Sequence, residues 1–131
     1  MKNVYLCPHC SANLNPNVKI VLVVAHRRRR GLILLSPQPG NFKFVCDEHV
    51  AEVIRSGSRV TFHCPVCQAD LTAGVHAGFT ELYRDVGGRV PERVFFSRKF
   101  GTHATFVTKG DVVATYGEDA DEFAKVNFFG S

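Results

Sequence analysis

Cys7-Pro8-His9-Cys10 and Cys64-Pro65-Val66-Cys67 are two C-P-x-C turns, and each opens a longer shared frame, CPHCSANL against CPVCQADL. A C-x2-C turn lets two thiolates face one ion while backbone N–H groups of the turn donate to the sulfurs, and two such turns complete a tetrahedron. Cys7, Cys10, Cys64 and Cys67 therefore offer four soft, deprotonatable ligands. They suit one Zn2+ per chain at about 2.3 Å per bond, with no position left for a substrate. A closed site of this kind is structural, and it contributes on the order of 10 kcal/mol of apparent binding energy to the fold. Spacing alone leaves a second set open. Cys46 and His49 form a C-x2-H pair, so Cys7, Cys10, Cys46 and His49 are also acceptable ligands, although Cys46 ends an alternating apolar run that suits a core position. His9, inside the first turn, and His63, just before the second, read as bystanders, and His26, His76 and His103 share no spacing that connects them.

The other chemistry-bearing residues are cations. Arg27, Arg28, Arg29 and Arg30 run consecutively in HRRRRG, and Arg98 and Lys99 stand between Phe96 and Phe100. Planar guanidinium forks suit phosphate or carboxylate, and cations beside aromatic rings suit exposed nucleobases. In a strand, however, alternate residues face opposite sides, so at most half of each run can point one way. Catalytic signatures are missing: there is no G-x-S-x-G, no phosphate-binding glycine loop and no H-E-x-x-H, and the carboxylates of YGEDADEF read as a solvated segment. The expectation is a non-enzymatic, zinc-stabilised binding or scaffold module that docks to a protein partner. The alternatives are nucleic-acid binding through an Arg27–Arg30 hairpin tip, and iron electron transfer or thiol redox sensing at the four cysteines. Homodimerisation through open sheet edges is a further expectation.

These side chains must be held by strands. VKIVLVVA (Val18 to Ala25), GLILLS (Gly31 to Ser36) and NFKFVC (Asn41 to Cys46) are β-branched or alternating runs, and GFTELYRDV, RVFFSRKF, HATFVT and DVVATYG behave likewise. Pro39-Gly40, Gly87-Gly88 and Lys109-Gly110-Asp111 supply turn chemistry between them. Helix is expected only at Asp47 to Ser56, capped by Asp47 and closed by Gly57, and over a short stretch from Asp119 to Lys125. Ile33-Leu34-Leu35-Ser36 followed by Gly40 matches Val94-Phe95-Phe96-Ser97 followed by Gly101, so the similarity extends beyond the cysteine turns. The reading is a mainly β fold of two pseudo-repeated halves, about 1–57 and 58–131, joined at the four cysteines as a single domain with one or two short helices.

With 45% hydrophobic and 21% charged residues the chain is composed like a folded globular protein, and its net charge of +4 permits an anionic partner without requiring one. No apolar run approaches a membrane span, and MKNVYLCPHC lacks a secretory apolar core, so a cytoplasmic location without membrane contact is expected. An odd number of cysteines, five, agrees with metal binding in a reducing compartment rather than a disulfide framework.

The paired C-P-x-C turns resemble the knuckles of zinc ribbons and of rubredoxin-like proteins. That resemblance implies a structural Zn2+ in a β-rich module that docks on proteins or nucleic acids, or, on the rubredoxin side, a four-cysteine iron that passes one electron. Many of those knuckles carry glycine after the second cysteine, where Ser11 and Gln68 stand here, and fifty-three residues separate Cys10 from Cys64. G-L-I-L-L-S and the closing N-F-F-G also resemble a bacterial zinc-ribbon family to which no activity is attached.

Overall fold

The computed structural model describes residues 4–88, 90–123 and 126–128. It is mainly β. The strands are β1 (Val4–Leu6), β2 (Ile20–His26), β3 (Arg29–Leu35), β4 (Phe44–Cys46), β5 (Thr61–His63), β6 (Phe79–Asp85), β7 (Glu92–Ser97), β8 (Thr105–Lys109) and β9 (Val112–Tyr116). They form a five-stranded sheet, β1-β6-β7-β8-β9, and a four-stranded sheet, β4-β3-β2-β5. Every neighbour is antiparallel.

Strand pairing crosses between the two halves of the sequence. β1 pairs with β6, placing Leu6 opposite Tyr83, while β5 pairs back onto β2, placing His63 opposite Val23. Each cysteine turn is thus rooted on a hairpin from the other part of the chain. On β7 and β8, Val94 faces Val107 and Phe95 faces Phe106; on β3 and β4, Ile33 faces Cys46 and Leu34 faces Val45.

Alternation decides which faces are buried. Leu22, Val24, Ile33, Phe62, Leu82, Val94 and Val107 point between the sheets and form one core with Tyr5, Leu14, Leu71, Cys7 and Cys64. β2 alternates buried and half-buried residues, as a strand covered on one face should. β8 does not alternate: Thr105, Phe106, Val107 and Thr108 are all buried, because a second cluster of Phe79, Phe95, Phe106 and Phe128 covers the far face of the five-stranded sheet.

Helix is shorter than the sequence indicates. Asp47 does cap α1, accepting from the His49 N–H at 2.9 Å, but the helix ends after Glu48–Ala51. Beyond it, Val53 and Ile54 donate to carbonyls three residues back, and the Gly57 N–H turns away to the Phe100 carbonyl at 2.7 Å instead of closing the helix. α1 crosses β3 at Gly31, where an added Cβ would lie 2.8 Å from the Asp47 Cβ and 2.9 Å from the Val50 Cγ2. The expected second helix is a single 3-10 turn at Ala120–Phe123, and Ala124 and Lys125 lie outside the described residues. Phe129 of NFFGS lies outside them too. The stretches leaving the knuckles are not strands but isolated bridges, Leu6 to Asn13 and His63 to Asp70. Among the described residues, no helix is long and apolar enough to cross a membrane.

Candidate metal centre

β1 delivers Cys7 and β5 delivers Cys64, and both turns close with the same hydrogen bonds. The Cys7 N–H donates to the Ala12 carbonyl and the Ser11 N–H to the Cys7 carbonyl; Cys64 with Ala69, and Gln68 with Cys64, repeat the pattern. Closing so tightly forces the residue after each second cysteine into the left-handed region, with φ 63° at Ser11 and 66° at Gln68. These are the positions where similar knuckles carry glycine, and a left-handed side chain costs about 1–2 kcal/mol. Gln68 recovers part of that by accepting from Arg30 at 3.0 Å and donating to the Pro65 carbonyl at 3.2 Å. Ser11 has no such bonds among the described residues. Ser11→Gly is therefore expected to stabilise the protein by about 1 kcal/mol and Gln68→Gly by less, read as shifts in the urea midpoint.

The two turns meet face to face. Cys7 Sγ lies 3.8 Å from Cys67 Sγ and Cys10 Sγ lies 3.7 Å from Cys64 Sγ. All four sulfurs are within 4.8 Å of one another. A tetrahedron with bonds of about 2.3 Å has its sulfurs about 3.8 Å apart, so the set fits a four-coordinate metal ion. Cys7 and Cys64 are buried while Cys10 and Cys67 reach the surface. Backbone N–H groups point at the inner sulfurs: His9 donates to Cys7 at 3.3 Å, and Val66 and Cys67 donate to Cys64 at 3.3 and 3.4 Å.

Electrostatics make the same point. Burial pushes the Cys7 thiol up to about 12, and the neighbouring Cys10 and Cys64 sulfurs add to this. At Cys64 burial pushes in the same direction, yet the thiol is held below its ordinary value because the Cys67 and Val66 N–H groups, and then the Cys67 and Cys10 thiols, hydrogen-bond to it. A divalent ion among the four sulfurs would favour the thiolate form of each.

Cys46 and His49 stand apart from this cluster. Cys46 pairs with Ile33 on β4, its Sγ lies 3.6 Å from the Asp47 carbonyl, and its thiol is pushed up by burial and by Asp47. Among the described residues, Cys7, Cys10, Cys64 and Cys67 are the one group of three or more His, Cys, Asp or Glu residues arranged to hold a metal. His63 bridges to Asp70, and its Nδ1 lies 3.3 Å from the Gln68 carbonyl.

Comparison of the chain with protein-family models, curated proteins and solved structures returns no match. The four-cysteine cluster is compatible with a zinc-ribbon-like metal site on its geometry alone.

The arginine run does not form one projecting tip. Arg27 and Arg28 are the two turn residues, with φ 49° and 67°, whereas Arg29 and Arg30 belong to β3 opposite His26 and Ala25. Arg29 is held by Glu52 at 2.8 Å and the His49 carbonyl at 2.9 Å. Arg98 is likewise absorbed, donating to the Val60 carbonyl at 2.9 Å, the Ala77 carbonyl at 2.7 Å and Thr61 Oγ1 at 3.0 Å. It ties the approach to β5, and so the second knuckle, to β7. Arg98→Ala is expected to cost about 2–3 kcal/mol in a chemical unfolding curve, since three carbonyl or hydroxyl acceptors lose a charged donor. The side chains of Arg27, Arg28 and Lys99 make no hydrogen bond or ion pair among the described residues.

The sequence reading missed an aromatic groove of ≈ 230 Å³ lined by Phe42, Phe44, Phe62, Phe96, Phe100 and His103. Phe44 meets Phe100 edge to face at 5.0 Å, and Phe62 meets Phe96 at 5.2 Å. These partners are far apart in the chain, so no spacing announces them.

Proposed function

We propose that this chain is a non-enzymatic module, clamped by one Zn2+ on Cys7, Cys10, Cys64 and Cys67, that docks to a protein partner in a reducing compartment. The observation that carries the reading is closure: four sulfurs from two turns distant in the chain, 3.7 and 3.8 Å apart across the cluster, supply the four ligands of a tetrahedral site. A bound zinc supplies charge that keeps all four thiolates deprotonated; the chain's own contribution is to aim them and to lock β1 against β6 and β5 against β2. A site with no open position does no Lewis-acid chemistry on a substrate, which leaves binding as the function of the surfaces it fixes. Absorption of Arg29 and Arg98 into internal bonds supports a protein partner over nucleic acid.

The test is metal analysis of the purified protein, followed by co-purification from its native cell extract. One zinc per chain and a stoichiometric protein partner that is lost with Cys64→Ser support the reading. A red iron-loaded protein would move it to electron transfer. Nuclease-sensitive nucleic acid, bound with a steep loss of affinity on adding salt and released by Arg27→Ser with Arg28→Ser, would replace it with nucleic-acid binding.

A further inference from the structure

We infer that the outer face of the four-stranded sheet docks an extended segment of a partner protein in which carboxylates precede an aromatic side chain. The inference rests on the protein-docking reading above and names its surface and its ligand chemistry.

The two sheets present unequal outer faces. On the five-stranded sheet, Phe79, Phe95 and Phe106 point outward yet are at most 3% exposed. The segment after β9 covers them. It turns at Gly117, where φ is +104° and an added Cβ would fall 2.1 Å from the His103 carbonyl oxygen, so only glycine fits. It then presents Glu118, Asp119, Asp121 and Glu122, and lays Phe123 and Phe128 on the sheet. Phe128 stacks on Phe106 at 4.5 Å and Phe123 meets Phe79 at 4.9 Å.

On the four-stranded sheet, Leu34 and Val45 hold the place that Phe95 and Phe106 hold on the other, each pair lying one step from an inward pair. Here the face is open. Leu32 is 52% and Val45 67% exposed, and Val21 and Val23 sit opposite Leu34 and Leu32 on β2. With half-buried Leu34, Val21 and Val23 between them, they make an apolar band across three strands that is open at Leu32 and Val45. Contiguous apolar surface of this kind marks an interaction site.

Charge selects the occupant. β2, β3, β4 and β5 contain no Asp or Glu. Arg30 stands on the same side of β3 as Leu32, Arg27 and Arg28 form the adjoining turn, and exposed Lys19 and Lys43 flank the opposite ends of β2 and β4. A second copy laid face to face would set these cations against their equals, which is costly at a desolvating interface. A segment with carboxylates at one end and a ring over the Leu34–Val45 pair meets both demands. The chain's own covering segment has this composition, and it serves as the probe.

The experiment titrates the full-length, zinc-loaded protein with the peptide of residues 117–128, GEDADEFAKVNF, following backbone amide shifts. Saturable shifts on β2, β3 and β4 are expected. Binding should weaken at least about tenfold in Leu34→Asp protein, and equally in Val45→Asp protein as a check on folding, and also when the peptide's four leading carboxylates become amides. The proposal is overturned by an absence of saturable shifts, by shifts confined to β6–β9, by undiminished binding of the amide peptide, or by a dimer without peptide that Leu34→Asp dissolves. A native partner that co-purifies equally with wild-type and Leu34→Asp protein also overturns this surface, while leaving the docking reading intact.

Discussion

Cys64→Ser protein is expected to lose its metal and most of its ordered structure together, whereas Cys46→Ser protein keeps both. Cys64 Sγ is the most hydrogen-bonded of the four sulfurs, taking two backbone N–H donors and lying 3.7 Å from Cys10. A serine hydroxyl does not deprotonate to replace it. A structural four-thiolate zinc site has an apparent binding energy of about 10–16 kcal/mol, while a domain of this size has a net stability of about 5–15 kcal/mol. Loss of the clamp therefore removes an amount comparable to the whole margin. Topology makes that loss global, because β1 and β5 are three-residue strands, each paired across the chain with the other part's hairpin. Releasing one knuckle leaves both short strands without an anchor. Cys46, half-buried against Ile33, contributes packing and no ligand, so its serine variant costs about 1 kcal/mol. Metal content per chain, far-UV circular dichroism and urea midpoints with and without a chelator read the difference. Retention of one metal by Cys64→Ser protein, or its loss from Cys46→Ser protein, would sink the assignment.

The metal cluster was legible because its information is local. Two C-P-x-C turns state their ligands, their turn geometry and their N–H···S donors within four residues each. The strands were legible where one face is buried, as in VKIVLVVA, since alternation survives there. It fails where both faces are covered: HATFVT reads as a strand, but nothing in it says that Phe106 is buried on the face opposite Val107, because that depends on Phe128 arriving from beyond β9. The arginine run misled for a related reason. A two-residue hairpin turn usually asks for Asn-Gly, so four consecutive arginines give no sign that Arg27 and Arg28 make the turn while Arg29 and Arg30 are already in β3. The helix from Asp47 was overestimated because its cap is local while its termination is not: the Phe100 carbonyl that takes the Gly57 N–H is distant in sequence. The crossed pairing of β1 with β6 and β5 with β2 is also beyond local patterns, which mark a strand but not its partner.

Phe128→Ala is expected to lower stability by about 3–5 kcal/mol, the range for truncating a fully buried aromatic side chain. For a chain of this length that is a fall of roughly 10 to 20 °C in the melting midpoint. Phe128 is 2% exposed, stacks on Phe106 at 4.5 Å and touches Phe95 and Phe79 at 4.8 and 5.2 Å between ring centres. Its carbonyl also accepts from Arg93 Nη1 at 3.2 Å, and Arg93 is itself paired to Glu81 at 2.7 Å. Truncation opens a cavity beneath the covering segment and exposes Phe79, Phe95 and Phe106 together. Such a surface promotes self-association, so light scattering should rise before global unfolding. Metal content should not change, because this cluster lies across the five-stranded sheet from the core that contains Cys7 and Cys64. That separation gives the prediction its edge. A loss below about 1 kcal/mol would mean that the C-terminal segment does not cover the sheet in solution, and the contrast between one clothed and one open outer face would lose its basis. A parallel loss of metal would instead show that the two clusters unfold as one unit, with the metal depending on packing on the far side of the sheet.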